Sequence, residues 1–160
     1  MEDLLNKEPV KRVIKFITDL DLNLKVLTLD KTARTAKDAA DSLKCNVGAI
    51  VKSLLLRTDN EFLICLVAGD RRCSLKKIKE ILNKKDVSMA NANDVKIYTG
   101  FSIGGVSPVG HIKKLNILID RSLNRFPDIF AAAGHPNCVF KITYDQLVKI
   151  TNASEEEISE

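Results

Sequence analysis

The order of apolar and polar residues predicts a chain that changes repeatedly between helical and extended periods. After Pro9, the residues Val10, Val13, Ile14, Ile17 and Leu20 recur at helical spacing, an amphipathic helix with proline at its start. Residues 24–29 read as a strand. Thr35 followed by Asp38 is a capping-box-like start for a second helix carrying Ala36, Ala39, Ala40 and Leu43, and Asn46 is placed to cap a short turn over 47–50. Residues 51–57 and 61–67 are rich in Val, Leu and Ile, and Thr58-Asp59-Asn60 between them suits a hairpin turn. A helix over 73–82 puts Leu75, Ile78, Ile81 and Leu82 on its buried side. Residues 88–90 read as a short strand, and Asn91 with Asp94 starts a further helical turn that Gly100 stops. Strands follow at 116–120, 129–133 and 138–142, and Thr143 with Gln146 forms a capping box for a last helix to Ile150. Strands and helices intermix without strict βαβ alternation. That predicts an α/β fold of the mixed, α+β kind rather than a doubly wound one.

Composition narrows the class. The 160 residues, 45% of them apolar, suffice for one domain with a sizeable core. There is no internal repeat or low-complexity linker. No apolar run reaches about 18 residues, which excludes a spanning helix. The acidic start MEDLLNKEPVK lacks an export signal, so the expected setting is a reducing cytoplasm. Cys45, Cys65, Cys73 and Cys138 are then expected as free thiols packed as small hydrophobes. No two of them are spaced as a zinc ribbon or a redox pair, and with only two histidines no metal or other cofactor is expected. Six Phe, two Tyr and no Trp weigh against an aromatic platform for single-stranded bases.

Charge is unevenly spread. The last seven residues hold four of the 21 acidic residues and none of the 25 basic ones, so the net charge of +4 becomes +8 without them. The organisation expected is one domain over 1–153 and an acidic C-terminal tail over 154–160. A basic body fits a polyanionic partner, and it also fits a solvated lysine-rich surface.

Three places carry candidate chemistry. Gly100, Gly104, Gly105 and Gly110 crowd into eleven residues beside Pro108. Such a segment exposes main-chain N–H groups to an oxyanion, or simply turns at a sheet edge. Lys52 stands in the apolar frame Ala49-Ile50-Val51-Lys52-Ser53-Leu54. An unpaired ammonium is costly to bury, so it reaches an anionic ligand, a carboxylate or the surface. Gly134-His135-Pro136-Asn137 follows three alanines, whose small side chains leave room for a ligand or for tight packing. His135 is either a general base or a turn residue, and no carboxylate is placed by sequence to orient it. Gly69-Asp70-Arg71-Arg72 adds arginines suited to phosphate, and Lys76, Lys77, Lys79, Lys84, Lys85, Lys113 and Lys114 are available to extend a basic surface. No Ser-His-Asp or Cys-His set can be assembled, and no GxSxG elbow surrounds Ser107.

Taken in order, TAKDAADSLKCNVGAIVKSLLLR, LVAGDRR, TGFSIGGVSPVGH, LIDRSL and AAAGHPN resemble the YbaK-type aminoacyl-tRNA editing domains. That family includes free-standing trans-editing proteins and the insertion domain of bacterial prolyl-tRNA synthetases. The resemblance runs from about Val10 to Ile150. It implies a compact mixed sheet, partly barrel-like and surrounded by helices. It also implies hydrolysis of the ester joining a wrong amino acid to tRNA. By carry-over, Lys52 anchors the terminal adenosine or its phosphate. Gly104 and Gly105 stabilise the oxyanion through their backbone, and Val106, Ser107 and Pro108 complete the loop that holds the aminoacyl group. Gly134 and His135 border the same cleft. The implied partners are aminoacyl-tRNA and prolyl-tRNA synthetase or an elongation factor. The family's cysteine-removing subgroup often has tyrosine near Leu29 and a GGKRG-like loop at GHPN. Alanine, serine, cysteine and other small residues all stay open as the amino acid removed. A non-catalytic module that binds aminoacyl-nucleotide or tRNA is the alternative.

Overall fold

Local sequence signals account for most of the elements in the computed structural model, which describes residues 3–20, 23–30 and 35–160. Helix α1 (Glu8–Asp19) carries Pro9 in its first turn and buries Val10, Val13 and Ile17. Leu20 lies past its end and is 40% exposed, so the apolar stripe stops one turn earlier than predicted. Strand β1 (Val26–Thr28) precedes α2 (Ala36–Leu43), whose N-terminus is capped by the Thr35 hydroxyl accepting from Asp38 N. Asn46 caps a 3-10 turn (Val47–Ala49) that leads directly into β2 (Ile50–Thr58).

Strand β3 (Phe62–Ala68) returns antiparallel to β2 and is buried on both faces from Leu63 to Ala68. Ser74 caps α3 (Leu75–Leu82), which leaves Cys73 outside the helix. Only Ile78 of its predicted apolar face is fully buried; Leu75 and Leu82 pack partly buried against the same cluster, and Ile81, at the rim of this face, is 38% exposed. Then come β4 (Val87–Met89) and α4 (Ala92–Thr99), the latter capped by Asn91 and ended by Gly100 at φ 80°. Strand β5 (Asn116–Asp120) is followed by a 3-10 turn, then β6 (Ile129–His135) and β7 (Cys138–Ile142). The capping box of Thr143 and Gln146 opens α5 (Tyr144–Thr151), and β8 (Ser154–Glu156) ends the fold.

The strands form one sheet in the order β1-β7-β6-β2-β3-β5-β8, with β4 also pairing β2. It is a mixed sheet curled into a half-barrel. One face holds the main core, which includes α1 and the glycine-rich segment through Val13, Ile17, Val106 and Val109. The other face packs on α3 and α2 through two smaller clusters.

The last seven residues, expected as an acidic tail, lie along the sheet edge. Strand β8 runs parallel to β5, and beyond it Cys73 and Ser159 form a bridge. Ile158 is fully buried, while Ser154, Glu155 and Glu157 face solvent. Asp120 fastens the segment, because its carboxylate accepts from Ile158 N at 2.8 Å and from the Ser159 hydroxyl at 2.8 Å. A charged strand is tolerated at an edge because its side chains stay wet while its backbone pairs.

Candidate functional site

The site begins as a gap in the sheet. One edge of β2 pairs with β3 from Val51 to Arg57. The other edge pairs with β6 only at Ile50 and Val51, and with β4 only from Leu56 to Thr58. Residues 52–55 have no strand partner on that edge among the described residues. A cavity of about 340 Å³ opens there, at the low end of the range usual for small-molecule pockets. Its wall is mostly apolar: Val51 and Leu55 of β2, Ala36 and Ala39 of α2, Val95 of α4, Ala132 of β6, and Met89 and Ile103 with exposed side chains. Among the described residues no Asp, Glu or His lines it.

Lys52 lines both this cavity and a shallower groove of about 620 Å³ walled by Asp70, Arg71, Arg72, Cys73 and Glu160. Its ammonium donates to the carbonyl of Arg71. Burial pushes the Lys52 pKa below the usual lysine range, opposed by the nearby Cys73 and Asp70 and reinforced by Arg72. Asp70 holds the turn through a two-pronged pair with Arg125 at 2.7 and 2.9 Å, and that guanidinium holds its carboxyl below the usual range. Lys52 is therefore a half-buried cation braced between an apolar cavity and a turn bearing two exposed arginines.

The glycine-rich segment forms the opposite wall. Gly104, at φ +93°, and Val106 line the cavity. Gly105 does not. A side chain there would come within 3.0 Å of the His135 backbone, so its bareness lets the loop lie directly on the end of β6. Its N–H donates to the Ser102 carbonyl at 3.0 Å, within the loop's own turn. Ser107 and Pro108 are buried behind the wall. The Ser107 hydroxyl accepts from Val109 N, and the Ser107 carbonyl accepts from His111 Nε2 at 2.7 Å. Burial lowers the pKa of His111 despite that bond, with the Arg12 charge adding to the effect, which keeps the ring neutral as a strut.

Gly134 faces away from the cavity. It has φ +91°, and a Cβ on it would stand 2.7 Å from the Pro9 carbonyl, so the start of α1 occupies the space. His135 is half-buried and its Nδ1 accepts from Asn137 N at 3.0 Å, which assigns the ring proton to Nε2. Its neighbour Pro136 lines the cavity and His135 does not. Leu29 sits in the cluster between α2 and β7, also outside the wall. Of the residues singled out by sequence, the structure brings Lys52, Gly104 and Val106 to the cavity, and sets Gly105, Ser107, Pro108, Gly134 and His135 behind or beside it.

Two residues that sequence reasoning passed over belong to this site. Arg12 donates to the carbonyls of Gly110 at 2.7 Å and Thr99 at 3.3 Å and covers the Phe101 ring at 4.5 Å, tying the glycine segment to α1. Its partners lie 98 and 87 positions away, and in sequence it is only a polar position of an amphipathic helix. Ser53 lines the cavity with a buried hydroxyl that has no hydrogen-bond partner among the described residues. Among the described residues no group of three or more His, Cys, Asp or Glu side chains could hold a metal ion, and no helix is long and apolar enough to cross a membrane.

Comparison with known proteins agrees with this architecture. Residues 30–150 match the aminoacyl-tRNA editing domain. The uncharacterised protein YwhH of Bacillus subtilis is 30% identical over 139 residues, which cover 86% of this chain and 88% of YwhH. The proline–tRNA ligase of Kosmotoga olearia is 37% identical over 98 residues, 60% of this chain but 17% of the ligase. A crystal structure described as a candidate trans-editing enzyme for prolyl tRNA synthetase superposes with a TM-score of 0.91 at 34% identity, covering 96% of this chain and 98% of that one. By sequence match over three quarters of its length and by fold over nearly all of it, this chain belongs to the aminoacyl-tRNA editing domain family.

Proposed function

We propose that this protein is a trans-editing deacylase that hydrolyses the ester of a mischarged tRNA, with tRNA-Pro carrying alanine, cysteine or another small residue as its substrate. The observation that carries the reading is the position of Lys52 between a small apolar cavity and a groove bearing Arg71 and Arg72. An aminoacylated RNA end has the same division. Its amino acid is small, and its backbone is anionic and suited to lysine and arginine. The exposed side chains of Met89 and Ile103 at the cavity offer an apolar seat for the terminal base.

In this reading the ester carbonyl lies against Gly104, whose main chain stabilises the tetrahedral oxyanion, while Gly105 keeps the loop in place against β6. A water oxygen bonds to the carbonyl carbon, the bond to the ribose oxygen breaks, and that oxygen leaves with the proton the water gave up. With no His, Asp or Glu in the wall among the described residues, a hydroxyl of the RNA terminus orients the water. The ester is already activated, so positioning supplies much of the rate. Prolyl-tRNA synthetase, to whose relatives the chain is similar, or an elongation factor would deliver the tRNA in the cytoplasm.

The same lack of a protein base favours, as a second reading, a module that binds aminoacyl-nucleotide without turnover. Deacylation of tRNA-Pro carrying Pro, Ala, Cys or Ser separates the two. The enzyme reading expects fast release from a mischarged species, sparing Pro, and a drop of ~100-fold or more in Lys52→Ala. Tight binding of every species without release selects the module.

A further inference from the structure

Resting on the editing reading, we infer that Ser53 is the receptor for the α-ammonium group of the aminoacyl ester and so reads the substrate as an amino acid. The pleat of β2 supports this. The Leu55 carbonyl accepts from Ala90 N, on the edge away from β3. Main-chain groups two residues apart on a strand point to the same edge. The Ser53 N–H and carbonyl therefore face the gap, where no strand pairs with them among the described residues. The Ser53 side chain stands on the same face as Val51 and Leu55, in the cavity wall, its hydroxyl buried and without a partner among the described residues. A hydroxyl left so in an apolar wall is costly unless a ligand completes it.

The chemistry of the wall selects what that ligand group is. An aminoacyl ester brings one cation into the cavity, its ammonium, and among the described residues no carboxylate lines the cavity to receive it. Lys52 repels a cation and sits on the opposite face of β2. Thr35 Oγ1 is engaged at the cap of α2. Among the described residues Ser53 alone presents two acceptors from one residue at the gap, Oγ and the main-chain carbonyl. An ammonium with three donors matches that pair.

The test compares two non-hydrolysable mimics of the aminoacyl terminus: 3′-alanylamino-3′-deoxyadenosine and its lactoyl counterpart, in which a hydroxyl replaces the ammonium. Calorimetry is done near pH 6.5, where an α-amine of ordinary pKa is charged. Wild type is expected to bind the alanyl compound ~10-fold more tightly than the lactoyl one. Ser53→Ala should lose most of that preference while binding the lactoyl compound as wild type does, and Ser53→Thr should restore it. Equal loss for both compounds in Ser53→Ala, or an unchanged preference, overturns the role of Ser53 and leaves the editing reading standing if wild type still deacylates tRNA. Binding of neither compound by wild type overturns both.

Discussion

Replacing Gly134 with alanine asks whether the glycine after the small-residue strand serves the fold or the ligand. Its φ of +91° is a conformation that costs a residue with a side chain ~1–2 kcal/mol. The added methyl would stand 2.7 Å from the carbonyl carbon and oxygen of Pro9 and 2.9 Å from Val10 N, where ordinary contacts begin at 3.4 Å. The neighbours are backbone, so the start of α1 must retreat by several tenths of an ångström. That helix seats Val10 and Val13, both fully buried, and disturbing such packing costs ~1–3 kcal/mol. The sum is ~2–5 kcal/mol, a large share of the ~5–15 kcal/mol that holds a domain folded. With a urea slope of ~2 kcal/mol per molar, the unfolding midpoint should fall by ~1–2.5 M. Gly104→Ala is the control. It has nearly the same φ, but among the described residues its Cβ meets only Pro136 Cγ at 3.5 Å, so the midpoint should fall by ~0.5–1 M while deacylation suffers more. A Gly134→Ala protein with an unchanged midpoint and weakened substrate binding would refute the reasoning and return Gly134 to the binding surface.

Other expectations follow from contacts at the edges of the site. Arg12→Ala removes the donors to the Gly110 and Thr99 carbonyls, so thermal unfolding should shift down by the equivalent of ~1–3 kcal/mol, with faster amide exchange over 100–111. Deleting residues 154–160 strips β8, buried Ile158 and two donors from Asp120, and should destabilise the protein by ~3 kcal/mol in urea titration. A deletion with no effect would make the segment a solubilising end. Burial acts to raise the Asp120 pKa, but the donors on Ser122, Ile158 and Ser159 outweigh it and hold it below the usual range. Its contribution is therefore full above the unfolded carboxylate pKa, near 4, and is lost as pH falls through the lower folded value, so exchange at 154–160 should rise only in strong acid. The Cys65 thiol, donating to Cys73, lowers the Cys73 pKa against burial, with help from Lys52, while Cys45, Cys65 and Cys138 are raised. Iodoacetamide at pH 8 should label Cys73 first by peptide mass mapping, and more slowly in Lys52→Ala. Earlier labelling of Cys45 would contradict this.

Sequence determined what depends on neighbours within a few positions. The caps at Thr35, Asn46, Asn91 and Thr143 are local hydrogen bonds, and each was legible as a polar residue before an apolar run. The β2–β3 hairpin was legible because both strands are apolar around a three-residue polar turn. Lys52 stood out because a charge inside an apolar frame needs an outlet, and the order of five motifs pointed to the family. Only the tertiary structure decided which side each residue serves. Gly104 and Gly134 share a positive φ, yet one borders a cavity and the other makes room for α1. Four glutamates disguised an edge strand, since an edge asks for backbone pairing and one buried apolar residue, Ile158, rather than an apolar pattern. The cavity itself is the stretch of β2 that β6 and β4 leave unpaired, and a missing partner has no signature in the strand that lacks it. Arg12 and Ser53 acquire their meaning in the same way, from groups far along the chain or from their absence, which periodicity over a few residues cannot encode.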